Sequence, residues 1–196
     1  MPFFGIKDVT LKPFLHYYKY MTTEKKNNFQ QNAMRYGTLM GIFWTAKFAL
    51  FPMGMTSPLL LVAFFLLTLI VPVVGFFMVR QYRDRECGGV LGFSRAFMFT
   101  VFMYLFAALF ATIAHYIYFQ YMDNGLIVST YQDMLTQMAA MATDEMKPSL
   151  DQFQQALDII SGLSALDISL QLISQNIFYC TLIALPTALL VKRNNK

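Results

Sequence analysis

Val79-Arg-Gln-Tyr-Arg-Asp-Arg-Glu-Cys-Gly-Gly-Val-Leu-Gly-Phe-Ser-Arg-Ala-Phe97 is a short charged stretch set between two long apolar runs. It carries Arg80, Arg83, Arg85 and Arg95. Gly88-Gly89 and Gly92 stop one helix and make a turn, and Ser94 is placed to cap the next. Basic residues that flank apolar runs mark the cytoplasmic side of a membrane, so this stretch orients the whole chain.

The composition demands a membrane. Of 196 residues, 57% are hydrophobic and 13% charged, where a soluble domain carries about a quarter charged residues. Such a chain would expose large apolar patches in water. The formal net charge of +4 gathers at the boundaries of the apolar runs rather than on one patch. It therefore reads as an orientation signal and not as a nucleic-acid surface. Two cysteines, Cys87 and Cys180, and two histidines offer neither zinc spacing nor a CxxC pair. No cofactor, metal ion or nucleic acid is implied.

Working outward, residues 1–32 are basic with interleaved aromatics; Phe14, Tyr17, Tyr18 and Met21 recur at helical spacing. Either an interfacial helix on an anionic leaflet or a solvated cytoplasmic tail fits this pattern. Span one covers about 33–51, and about 20 apolar residues cross a bilayer. Gly37 and Gly41 form a small-residue face that could admit another helix, including that of a second copy in a homodimer. An uncharged turn, Pro52 to Pro58, leads to span two, about 57–79, where Pro72 and Gly75 predict a kink near Thr68. Span three, about 93–121, ends in the aromatic belt His115-Tyr-Ile-Tyr-Phe-Gln-Tyr121.

The segment 122–165 is acidic, with Asp133, Asp144, Glu145, Asp151 and Asp158 against Lys147 alone. Two amphipathic helices are read in it. One has the stripe Ile127, Tyr131, Met134, Met138, Met141; the other, opened by a Ser149–Gln152 capping box, has Leu150, Phe153, Leu157, Ile160. Span four covers about 166–191, and 192–196 is a basic tail. The resulting expectation is an all-α polytopic protein with four transmembrane helices, N-in/C-in, and an extracytoplasmic amphipathic helical hairpin between spans three and four.

Function is less determined. Lys47 lies about 20 Å into span one, past the midplane, where an ammonium costs at least about 2.5 kcal/mol to insert. It either holds an anionic group or snorkels to the outer headgroups. His115 on span three and Asp167, Gln171 and Gln175 on span four fall at similar depth. With Lys47 they either line a polar cavity, Lys47 paired with Asp167, or act as interhelical glue. Arg80, Arg83, Arg85 and Arg95 serve topology or contact a phosphate or partner. No HExxH, GxSxG, phosphate loop or Ser/Lys dyad is present, so no enzyme is indicated.

The chain resembles a bacterial inner-membrane family, the domain of unknown function numbered 4199. The resemblance rests on Tyr36-Gly-Thr-Leu-Met-Gly41, on Tyr82-Arg-Asp-Arg-Glu-Cys-Gly-Gly-Val-Leu-Gly-Phe-Ser-Arg-Ala-Phe97, on His115 to Tyr121 and on the acidic helical segment. Cys87 stands where a larger apolar residue would be expected. The resemblance implies a multi-pass protein of the bacterial inner (cytoplasmic) membrane and carries over no catalytic residue. It also hints at a membrane partner such as a glycosyltransferase acting on lipid-linked sugars. Two readings follow. One is an accessory or scaffold subunit for a membrane partner. The other is a small carrier or lipid-binding protein holding an anionic group near Lys47, and the direction of Lys47, toward lipid or toward the other helices, discriminates them.

Overall fold

In the computed structural model the backbone is described for residues 7–194 and side chains for 29–194. Six helices follow one another: α1 (Lys7–Gly54), α2 (Pro58–Glu86), α3 (Phe93–Tyr121), α4 (Leu126–Ala140), α5 (Lys147–Ser161) and α6 (Ala165–Val191). The all-α architecture matches the sequence pattern. The interfacial reading of residues 1–32 falls largely on side chains outside the described residues.

Four helices form the bundle, in the order α1, α2, α6, α3 around its axis, each packed on its neighbours. α1 runs parallel to α3: Gly37 faces Met103 and Phe106, Gly41 faces Phe110, and Phe48 meets His115 and Tyr118. α2 and α6 run the opposite way. Three helices of the described residues, α2, α3 and α6, are long and apolar enough to cross a membrane; α1 is not the fourth. Its second half is long enough, but Gly37, Gly41, Thr45 and Lys47 dilute its apolar content. Hydropathy thus supports three spans where four were expected.

The α1–α3 contact is a backbone contact. A Cβ on Gly37 would lie 2.6 Å from the Met103 carbonyl oxygen and from Phe106 Cβ, and one on Gly41 would lie 2.7 Å from Phe110 Cβ. Without side chains there, the helices approach closely and gain dispersion contacts, the main source of helix affinity in lipid. The small-residue face is therefore filled by α3 of the same chain and is not open to a second copy. Gly75 on α2 repeats the device, receiving the ring end of Tyr104.

Aromatic rings fill the end of the bundle near the arginines. Tyr82 stacks on Phe99 at 3.6 Å, and Phe29 and Tyr36 meet both edge-on. Toward the middle, Trp44 stacks on Tyr104 at 5.9 Å.

The opening stretch is more helical than its charge suggests. α2 continues to Glu86, so Arg80, Arg83 and Arg85 ride its last turns, where cations favour the negative end of the helix dipole. Gly88 and Gly89 then turn the chain at positive φ, as expected. Ser94 does not cap: Gly92 is the N-cap of α3, with its carbonyl accepting from the Ala96 amide at 3.0 Å. Leu91 pairs with Arg193 in a single antiparallel bridge, which ties the chain after α6 to this turn.

The hairpin α4–α5 is held by its own contacts. Gln132 and Gln154 exchange amide hydrogen bonds at 2.8 and 3.2 Å, Tyr131 meets Phe153 edge-on, and Leu135 and Leu157 are buried between the helices. The expected stripe is therefore rotated: Met134, Met138 and Met141 are exposed. The expected Ser149–Gln152 box does not form either. Pro148 at the start of α5 favours a helix beginning at Lys147, two residues earlier. Asp123 organises the turn before α4, its carboxylate accepting from Tyr118 Oη at 3.0 Å and from the Gly125 and Ile127 amides.

Replacing Gly37 by Leu is expected to destabilise the bundle by about 1–3 kcal/mol or to prevent its folding, as overpacking does. The exposed Ile42→Val serves as control. Thermal unfolding in mild detergent measures both, and a Gly37→Leu protein as stable as the control would refute the close contact.

Candidate functional site

A cavity of about 460 Å³ opens where the four bundle helices meet, in the half nearer the α1–α2 turn. α1 contributes Trp44, Lys47, Phe48 and Phe51; α2 contributes Phe64, Thr68, Val71 and Pro72. Ala111 and His115 come from α3, and a stripe of α6 from Leu172 to Ile183 completes the wall. The volume falls within the range of organic-ligand sites, about 300–1,000 Å³.

Lys47 faces this cavity. Its Nζ lies 5.1 Å from the centroid of the Phe64 ring on α2. A cation over an aromatic face gains roughly 0.5–2 kcal/mol, less than full ion pairing would supply. Among the described residues the ion pairs are Arg80–Asp84, Arg83–Asp84 and Lys147–Asp144, so Lys47 has no carboxylate. The cavity wall contains no Asp or Glu.

His115 stands beside it, buried, with Phe48 against its ring at 4.2 Å. Among the described residues its Nδ1 has no hydrogen-bond partner, nor has the Nε1 of Trp44. A buried N–H or ring nitrogen left unpaired costs about 1–3 kcal/mol. Lys47 and the Asn176 amide thus bring donors to one cavity whose wall carries no carboxylate, while the Trp44 and His115 nitrogens are sealed within that wall. That chemistry suits an oxyanion.

The other candidates lie elsewhere. Asp167 belongs to a capping box at the start of α6: its Oδ2 accepts from Ser164 Oγ at 2.6 Å and from the Ser164 amide at 3.2 Å, and its own amide donates to Ser164 Oγ. The expected pairing with Lys47 is replaced by this local one. Gln171 and Gln175 are exposed and are not among the cavity residues. They sit one position before Leu172 and Asn176, and one residue turns the helix by more than a quarter of a revolution. Asn176, Tyr179 and Cys180 occupy the face assigned to them.

At the opposite end, Arg83 Nη1 donates to the Val191 carbonyl at 2.9 Å while Nε donates to Asp84 at 2.7 Å. This guanidinium caps α6 and is committed to structure. Arg80 pairs with Asp84 at 3.7 Å, an exposed contact of small worth. Arg95 is exposed on the first turn of α3, and Arg85 is exposed near the end of α2.

The fold defines a helical membrane protein with a largely apolar internal cavity that one lysine faces. Comparison places it further. The family described as protein of unknown function (DUF4199) matches residues 35–193, and the chain belongs to it. No curated protein and no solved structure matches the chain.

The capping box makes a separable prediction. Asp167→Leu is expected to cost about 1 kcal/mol, the usual value of a lost cap, equally in wild type and in Lys47→Leu. A double-mutant cycle of thermal unfolding checks this, and a coupling above about 1 kcal/mol would restore the Lys47–Asp167 pair.

Proposed function

We propose that this is a small multi-pass membrane protein whose activity is to bind, and pass on or present, an anionic group at Lys47. One observation carries the reading: an ammonium without a carboxylate partner among the described residues lines an internal cavity beside the Asn176 amide. Its ammonium lies over the Phe64 ring of α2, among the cavity residues. Retaining an unpaired charge against its desolvation cost is the usual mark of a site.

The proposed topology is four spans, N-in/C-in, in a bacterial inner membrane. Its support is that residues 36–48 of α1 lie alongside residues 99–118 of α3, so both occupy the same depth. The basic ends of α2 and α6 then share one side, and the acidic hairpin takes the other.

An accessory role for a membrane partner remains as a second reading, favoured by the exposed Met134, Met138 and Met141 of α4. Methionine-rich faces adapt to varied partners. Under that reading the glycosyltransferase of a lipid-linked sugar pathway is the partner to look for.

Native mass spectrometry of protein released from membranes in mild detergent tests the first reading. Wild type is expected to retain an anionic ligand that Lys47→Gln loses and Lys47→Arg keeps. Equal retention by Lys47→Gln overturns it. For topology, with Cys87→Ser as background, Thr143→Cys is expected to react with an impermeant maleimide on intact cells. Asn194→Cys should react only after permeabilisation; the reverse pattern inverts the orientation.

A further inference from the structure

The cavity has a floor, a closed end and a side opening. Trp44, Val71, Ala111, His115 and Cys180 form the floor, each at most 7% exposed. Toward the α1–α2 turn it is closed by rings: Phe51 meets Phe64 at 5.2 Å, and Phe48 meets Tyr118 at 5.4 Å and Phe119 at 6.3 Å. The exposed wall residues are Thr68 on α2 and Tyr179, 59% exposed, on α6. Both lie on the seam between α2 and α6, which faces the surroundings of the bundle rather than its ends.

That seam is the place where the bundle yields. α2 and α6 pack less extensively than α1 on α3 or α3 on α6. Pro72 also lies on this wall, four residues after Thr68. A proline has no amide hydrogen, so the Thr68 carbonyl loses its ordinary helical partner at the rim. The volume is the second argument. An isolated phosphate or carboxylate would leave most of 460 Å³ empty, and the wall beyond Lys47 is apolar: Val71, Pro72, Leu172 and Ile183. The occupant must therefore join an oxyanion to a hydrocarbon part, and it must come from where the opening leads.

We propose that the anion held at Lys47 is the head of a membrane lipid, which enters sideways between α2 and α6 past Thr68 and Tyr179 and lays its chain against Val71, Pro72 and Ile183. This rests on the reading of Lys47 as an anion-binding group and adds the ligand's source and route. The ammonium supplies charge and the Asn176 amide a donor for the oxyanion; the ring cluster keeps the site from opening to water at the turn.

The experiment uses the full chain in nanodiscs containing phosphatidylglycerol with a diazirine on one acyl chain, compared with phosphatidylcholine carrying the same chain. After irradiation, labelled peptides are mapped. Label from the anionic lipid is expected on residues 64–72 and 172–183 and to fall about tenfold in Lys47→Gln, the loss of a charged hydrogen bond of roughly 1.5 kcal/mol. Lys47→Arg is expected to retain it. Thr68→Trp, which narrows the rim, is expected to reduce labelling severalfold, and millimolar inorganic phosphate is expected to leave it unchanged. Unfolding curves confirm that each variant is folded. Full competition by phosphate, or undiminished labelling in Thr68→Trp, overturns the lateral lipid route while leaving anion binding at Lys47 intact. Undiminished labelling in a folded Lys47→Gln overturns the anion reading itself.

Discussion

The close contact of α1 with α3 sets the rest of the bundle. Gly37 and Gly41 let the α1 backbone reach the carbonyl of Met103 and the Cβ atoms of Phe106 and Phe110. In a lipid environment no hydrophobic gain drives helices together, so such contacts must supply the affinity. Once the two helices are locked in parallel, the rotation of α1 is settled, and Trp44, Lys47, Phe48 and Phe51 all turn toward α2 and α6. A helix less apolar than its neighbours is thus held where its least apolar residue is sheltered.

The two ends of the bundle treat charge in opposite ways. Near the arginines, Arg83 bridges Asp84 and the Val191 carbonyl and Arg80 shares Asp84, while Arg85 and Arg95 lie at the surface. Near the α1–α2 turn Lys47 stands over the Phe64 ring inside the bundle. The first set is held by carboxylate and carbonyl or lies exposed. The second has only a ring, from which an ammonium gains far less than from an oxyanion.

How much of this could be read beforehand depended on whether the signal was local. The Gly88–Gly89 turn, the Asp123–Gly125 corner and the bounds of α3 and α6 follow from residues next to one another, and the structure has them where the sequence places them; α1 and α2 run past their expected bounds, from Lys7 and to Glu86. Helix starts were less certain, because Ser94 and Ser149 compete with Gly92 and Pro148 for the same turn. The Ser164–Asp167 box went unread in the sequence, where the depth of Asp167 suggested a partner for Lys47 instead. Local geometry won, since a serine three residues away costs less order than a lysine on another helix. The direction of Lys47 and the exclusion of Gln171 and Gln175 depend on helix rotations, which only the Gly37–Phe106 contact determines. The number of spans is the clearest case: hydropathy supports α2, α3 and α6, while the packing of α1 along α3 is a tertiary contact that hydropathy does not register.

The cavity's walls come from α1, α2, α3 and α6, and α6 is the last of these to be made. Until it arrives, Asn176, Tyr179 and Cys180 are missing and Arg83 has no Val191 carbonyl to cap. The site therefore does not exist on a growing chain. Lys47 lacks its shelter until α6 has followed, and the bridge between Leu91 and Arg193 forms only after α6 is in place. Assembly of the cavity is in this sense a timing event: its walls are complete only once α6 has joined the three helices made before it.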